Sequence, residues 1–330
     1  MQRFETWKQF LPGVGLALAV AVPAWMLGRH LPLVGGPVCA ILLGMLLAFW
    51  PRPGRFAPGL RFCARKLLQA AIILLGFEMN LDNVWNVGTQ SLLVMFFTLS
   101  ASFLAAWLAG RLLRLEGNTA ILVGVGTAIC GGSAIAATAP VIRAGEKEVS
   151  YSISTIFLFN VAAVFLFPLA GHLLGMSDTG FGMWAGTAIN DTSSVVAAGY
   201  SYSDAAGDFA TIVKLTRTLM IVPVTLVLAL YTARRSAGSG FSFVRVFPWF
   251  VLGFLGASLV RTLGVVSPAL GAGLAQTGKF AIVTAMAAIG LNSDLRQMAR
   301  NGLRPLVLGL ACWGAVAFTS LLAQNLIGLW

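Results

Sequence analysis

The residues with chemistry to offer sit where a lipid-soluble sequence should have none. In GTAICGGSAIAATAPVI, residues 126–142, the residues Thr127, Cys130, Gly131, Gly132 and Ser133 interrupt the apolar segment 117–142 near its middle. A segment of that length matches a hydrocarbon core about 30 Å thick, so the interruption falls near the bilayer midplane. Non-helical backbone survives at that depth only where protein or a wet cavity satisfies it. Gly131 and Gly132 let the chain unwind, and Ser133 opens a second half-helix whose free N–H groups point back at the break. The positive end of a helix favours an anion.

Three further stretches carry groups that a bilayer penalises. GTAINDTSSVVAAG, residues 186–199, places Asn190, Asp191, Thr192, Ser193 and Ser194 near the midpoint of a span. A carboxylate there costs a few kcal/mol, which points to a proton carrier or a counter-charge, with a structural helix-to-helix bond as the plainer account. TIVKLTRTLMIVP, residues 211–223, puts Lys214 and Arg217 three apart on one helix face. They suit an anion as partners, or they snorkel to the outer interface. AMAAIGLNSDL, residues 285–295, has Gly290 and Asn292 at a second expected break, unless the helix simply ends there. Taken together, Thr127, Cys130, Gly131, Gly132, Ser133, Asn190, Asp191, Thr192, Ser193, Lys214, Arg217, Gly290 and Asn292 form the expected substrate site.

Other chemistries lack their residues. Neither Cys130 nor Ser133 has an evident base nearby in sequence, so a nucleophilic enzyme is not expected. The four cysteines, Cys39, Cys63, Cys130 and Cys312, have no metal-ligand spacing. No phosphate-binding loop, dinucleotide fingerprint or zinc motif occurs, so neither cofactor nor metal is expected, and neither is ATP-driven transport by this chain alone.

The elements that must position these groups are transmembrane helices. With 58% apolar and 10% charged residues over 330 positions and a mean hydropathy of +0.86, the chain reads as an all-α, multi-pass membrane protein. Eleven apolar segments run approximately over 10–28, 31–50, 62–78, 89–110, 117–142, 151–175, 181–200, 209–232, 246–264, 277–295 and 303–330. The 22 basic residues against 11 acidic ones lie between the spans instead of forming a stripe, which argues against a nucleic-acid partner. With the N-terminus in the cytoplasm, fifteen basic residues fall inside and five outside. That bias places the N-terminus inside and the C-terminus outside.

Internal similarity suggests a duplication within one transmembrane domain. Lys66 and Leu67 align with Lys214 and Leu215, and Thr127 and Ala128 with Thr284 and Ala285. The expected arrangement is an extra N-terminal helix (1–30) and two inverted five-helix repeats (31–175 and 181–330), with the fifth and tenth spans broken and crossing. A rival alignment rests on GTAI, which recurs at 126 and 186.

GTAICGGSAIAATAPVI, WAGTAINDTSSVVAAG, VKLTRTLMIVP, PWFVLGF and AMAAIGLNSDL resemble the signature segments of the YeiH-like family of sulfate exporters, bacterial inner-membrane proteins. The resemblance covers nearly the whole chain. It implies kinship with the cation:proton antiporter and anion transporter superfamily, whose members cross two broken helices at the membrane centre. The family commonly has a histidine where this chain has Asn190, which cannot titrate, so a relay drawn from it would rest on Asp191 alone.

The expected function is secondary active transport of a small anion, sulfate or a related oxyanion or organic anion, by an elevator-type alternating-access cycle. Spans 5 and 10 would cross in a mobile core with spans 4, 6, 9 and 11, while spans 2, 3, 7 and 8 form the scaffold. Proton or sodium coupling and homodimer formation stay open, and the bilayer is the surrounding partner. An anion channel is the alternative, and an intramembrane enzyme a more remote one.

Overall fold

The computed structural model describes residues 9–30, 35–50, 53–115, 118–233, 249–292 and 303–329. Arg3, Lys8, Arg52, Arg234, Arg235, Arg245, Arg296 and Arg300, on which much of the loop-charge count rests, lie outside those residues. The described residues form helices and no strand. In chain order they are α1 (Leu11–His30), α2 (Gly35–Ala48), α3 (Ala57–Phe62), α4 (Leu68–Leu75), α5 (Leu81–Leu112), α6 (Thr119–Ala128), α7 (Gly132–Val141), α8 (Glu146–Leu173), α9 (Asp178–Ala188), α10 (Thr192–Tyr202), α11 (Asp204–Leu219), α12 (Ile221–Ala233), α13 (Trp249–Thr262), α14 (Pro268–Leu291) and α15 (Leu303–Leu326). A π-helical turn, Cys63–Leu67, joins α3 to α4.

The described residues of the eleven apolar segments lie mainly on helices, singly or in consecutive pairs. Among the described residues, six stretches are long and apolar enough to cross a membrane: Leu11–Arg29, Leu81–Leu112, Lys147–Leu173, Asp204–Leu228, Pro268–Leu291 and Leu303–Leu326. By contrast α6 and α7, at 10 residues each, reach only about 15 Å apiece.

Contacts divide the chain into two compact units, neither continuous in sequence. The first comprises residues 1–86, 196–208 and 249–295, and the second residues 87–195, 209–248 and 296–330. This differs from the expected core and scaffold: spans 9 and 10 belong to the first unit with spans 1 to 3. The fifth span, the sixth, the last and most of the eighth belong to the second.

In the first unit α14 packs against α1, α2 and α4. Lipid gives no hydrophobic drive for helix association, so small residues that let backbones approach are what such contacts need. Gly44 meets this need, because a Cβ there would stand 2.6 Å from the Ala287 carbonyl oxygen. On the facing helix a Cβ at Gly290 would run into the Ile41 carbonyl. At the polar end of the unit, Lys279 Nζ lies 3.2 Å from Asp204 Oδ1 and 3.7 Å from Glu78 Oε2.

The break expected around Ala288–Asn292 falls at the end of α14, which runs to Leu291 with the Asn292 N–H still donating to the Ala288 carbonyl, and residues 293–302 lie outside the described residues. Residues 284–291, TAMAAIGL, hold no polar group after Thr284 and are rich in the best helix former, so nothing in them competes with the helical bonds. The seventh span is interrupted for three residues, where α9 ends at Ala188 and α10 begins at Thr192, whereas the eighth is only nicked at Met220 between α11 and α12.

In the second unit α6 packs on α8 and α15, α7 on α8 and α12, and α9 on α15. Two hydrogen bonds tie α9 to α15: Trp184 Nε1 donates to the Ala317 carbonyl at 3.1 Å, and the Thr187 and Ser320 hydroxyls pair at 2.6 Å. Both interruptions, 129–131 and 189–191, lie in this unit.

Candidate functional site

Both interruptions follow the same four residues. GTAI occupies 126–129 at the end of α6 and 186–189 at the end of α9, so the recurrence at 126 and 186 marks the pair of breaks. At the first break Ile129 leaves the helical region (φ −119°, ψ −91°), and Gly131 takes φ 69° and ψ −129°. That backbone is strained for any residue with a Cβ. Its N–H returns to the Gly126 carbonyl at 2.9 Å, and α7 starts at Gly132, where the Cys130 thiol meets the Ala134 N–H and leaves those of Gly132 and Ser133 without a side-chain cap. A Cβ on Gly132 would meet nothing within 4 Å, and Ser133 is exposed, so this N-terminus is open.

At the second break Ile189 is extended (φ −83°, ψ 133°). Asp191 then caps α10. Its Oδ2 accepts from the N–H of Ser193 at 3.0 Å, from the N–H of Ser194 at 3.4 Å and from the Ser193 hydroxyl. An aspartate followed by serines at a helix start is the residue pattern such a cap requires. The positive end of α10 is therefore already occupied by a carboxylate.

The two carbonyl ends are occupied too, by cations from α11. Lys214 Nζ donates to the carbonyls of Ile129 at 2.7 Å and Ile189 at 2.9 Å. Arg217 donates through Nε to Ala128 at 2.7 Å, through Nη2 to Thr127 at 2.5 Å and through Nη1 to Thr187. Both side chains are fully buried. Each helix C-terminus carries about half a negative charge, so each cation meets an electrostatic partner as well as hydrogen-bond acceptors. Gly186 permits the reach, because a Cβ there would stand 2.6 Å from Val213 Cγ1 on α11.

The structure thus brings Thr127, Gly131, Gly132, Asn190, Asp191, Thr192, Ser193, Lys214 and Arg217 to the two breaks of one unit. Lys214 and Arg217 do not snorkel. They bind backbone. The side chain of Cys130 packs in an apolar cluster with Val125, Ala128, Ala134, Ala137 and Ile221. Gly290 and Asn292 belong to the first unit, where Gly290 packs on α2. Among the described residues, the side-chain atoms of Asn190 and the Thr127 hydroxyl are buried without a hydrogen-bond partner.

Asn160 on α8 is outside the expected substrate site, because an asparagine at mid-span fits interhelical bonding better than ligand binding. Its Oδ1 does accept from the Asp191 N–H at 3.2 Å. Its Nδ2 lies 3.5 Å from where a Cβ on Gly131 would stand.

Two interrupted helices whose polar ends are met by buried side chains define a multi-helix membrane protein with an internal polar centre. Residues 12–309 match the profile of a family described as Conserved hypothetical protein 698. The chain belongs to this family. It is 49% identical to a UPF0324 membrane protein of Streptococcus pyogenes serotype M6, over 97% of this chain and 98% of that one. Similar proteins of the same description occur in Streptococcus mutans, at 46% identity over 98% of each chain, and in Fusobacterium nucleatum, at 42% identity over 97% of this chain and 99% of the other.

Proposed function

We propose that the protein is a secondary active transporter of a small anion, working by alternating access of the elevator type. The observation that carries this reading is the double break itself. Two half-helix C-termini are neutralised by Lys214 and Arg217, one N-terminus is capped by Asp191, and the remaining N-terminus at Gly132 and Ser133 is open. An open helix N-terminus is an anion site. Ionisable side chains buried within a membrane span mark a transport pathway by default, even where each has found a partner.

On the same reading the substrate is sulfate, a related oxyanion or an organic anion, and Asp191 is the group through which a proton or sodium ion couples. The protein acts in the bacterial inner membrane with its N-terminus cytoplasmic and its C-terminus outside, and it catalyses no covalent chemistry. Membership of a family of bacterial membrane proteins supports the setting. The test is a panel of radiolabelled anions offered to proteoliposomes under imposed proton and sodium gradients. Saturable, trans-stimulated uptake of one anion, responding to one gradient, is the expected result. Flux that neither saturates nor is trans-stimulated would describe a channel, and no flux of any anion would remove the reading.

A further inference from the structure

The charges at the double break can be balanced, and the balance restricts the ligand. Lys214 and Arg217 bring two positive charges and Asp191 one negative charge. Two helix C-termini and two helix N-termini meet there at about half a charge each, and these four cancel. One positive charge remains, and the open N-terminus of α7 is where it is felt without a partner.

A second observation points to the same place. Asn160 is 4% exposed, and its amide is divided between two tasks. Oδ1 holds the Asp191 N–H, while Nδ2, for which the described residues offer no acceptor, is directed at the Gly131 turn. An amide donor without an acceptor, on a side chain this buried and beside a helix N-terminus, suits a ligand oxygen. Beside it Gly132 leaves free space where a Cβ would stand. The first backbone N–H groups of α7 have no intrahelical acceptor.

We propose that the Nδ2–H of Asn160 and the N–H groups of Gly132 and Ser133 form a cradle for one oxyanion group carrying a single negative charge. This rests on the anion-transporter reading and narrows it: the substrate binds as a monoanion, and a dianion such as sulfate is disfavoured unless the charge of Asp191 is removed. Asn160 becomes a binding residue, and Asp191 becomes the residue that sets ligand charge. A monoanion brings the centre to neutrality. A dianion leaves it at one negative charge in a low-dielectric setting, where each charge without a partner is costly.

The test compares methanesulfonate with sulfate, two tetrahedral oxyanions that differ by one charge, by equilibrium binding to the purified full-length protein in detergent. Wild type should bind methanesulfonate at least tenfold more tightly than sulfate, and Asp191→Asn should reverse or erase that preference. Gly132→Ala, which meets no protein atom, should weaken methanesulfonate at least tenfold with an unchanged melting curve. Asn160→Asp keeps the acceptor for the Asp191 N–H but replaces the donor, and should lose methanesulfonate binding while melting above Asn160→Leu, which keeps neither.

No saturable binding of methanesulfonate, a preference for sulfate in wild type, or unchanged affinity in both Gly132→Ala and Asn160→Asp would each overturn the cradle. Gradient-driven flux is measured separately. Flux in wild type with insensitive variants removes the cradle and leaves the transporter, whereas charge-selective binding without flux does the reverse.

Discussion

Replacing Arg217 by methionine tests whether the interrupted helices are held together through their carbonyl ends. The substitution keeps an unbranched stem in the same space and removes three donors, those now directed at Thr127, Ala128 and Thr187. A buried acceptor left without a partner costs about 1–3 kcal/mol, so three give about 3–9 kcal/mol if nothing relaxes. Relief of the cation's own desolvation, several kcal/mol in a buried setting, acts in the opposite direction. The expected net loss is about 3–5 kcal/mol, as when one partner of a buried charged pair is deleted. It is read from thermal unfolding of the purified protein in one fixed detergent, followed by tryptophan fluorescence. Arg217→Lys should fall between wild type and Arg217→Met, because one ammonium cannot reproduce three donors in a fixed plane. If Arg217→Met unfolds within about 0.5 kcal/mol of wild type, as an exposed substitution does, the carbonyl ends do not depend on the guanidinium and the reasoning fails.

Gly131→Ala should destabilise by about 1–3 kcal/mol from backbone strain at φ 69°; a melting curve unmoved from wild type would mean the turn has another conformation. Asp191→Asn keeps a good capping residue, so its stability should stay within about 1 kcal/mol of wild type, while proteoliposome flux loses its response to the coupling gradient. Wild-type rate, affinity and gradient dependence in that variant would make Asp191 a cap and nothing more. Gly207→Ala would drive a Cβ into the ring of Tyr200, whose hydroxyl donates to Asp208 at 2.5 Å. The overpacking should cost about 1–3 kcal/mol, and a melting curve equal to wild type would show that the ring has room to move.

The first break is legible in the sequence because glycine and serine occur consecutively at the depth where lipid tolerates them least. The second is half legible. Asn190 to Ser194 stand out as polar residues in a span, yet the alignment of Thr127 with Thr284 draws attention away from this helix to the tenth span. Matching threonine and alanine carries little information in alanine-rich helices. GTAI is more specific because in both copies the break comes directly after it. Lys214 and Arg217 are visible as charges, but their targets are not, because backbone carbonyls have no sequence signature. Asn160 is hidden for a related reason: an asparagine in a span shows that it has a partner, and only the placement of Gly131 shows that one of its two ends does not.

The position of the two cations bears on how the proposed site could turn over. An ammonium in direct contact with an anion at 4 Å is worth about 4 kcal/mol at an effective dielectric of 20, against about 1 kcal/mol net for a neutral hydrogen bond. The difference of about 3 kcal/mol is roughly a hundredfold in residence, since every 1.4 kcal/mol is tenfold. Lys214 and Arg217 spend their donors on Thr127, Ala128, Ile129, Thr187 and Ile189. The anion is thereby left to the N–H groups of α7 and the amide of Asn160. The cations then cancel the carbonyl ends that would repel the ligand, without gripping it. A carrier must release on one side what it captured on the other, and weak neutral donors in a corrected field allow this where a direct ion pair would not. On this account, moving a cation into the cradle, as in Asn160→Lys, should tighten methanesulfonate binding while slowing exchange. Faster exchange with tighter binding would show that affinity does not limit release.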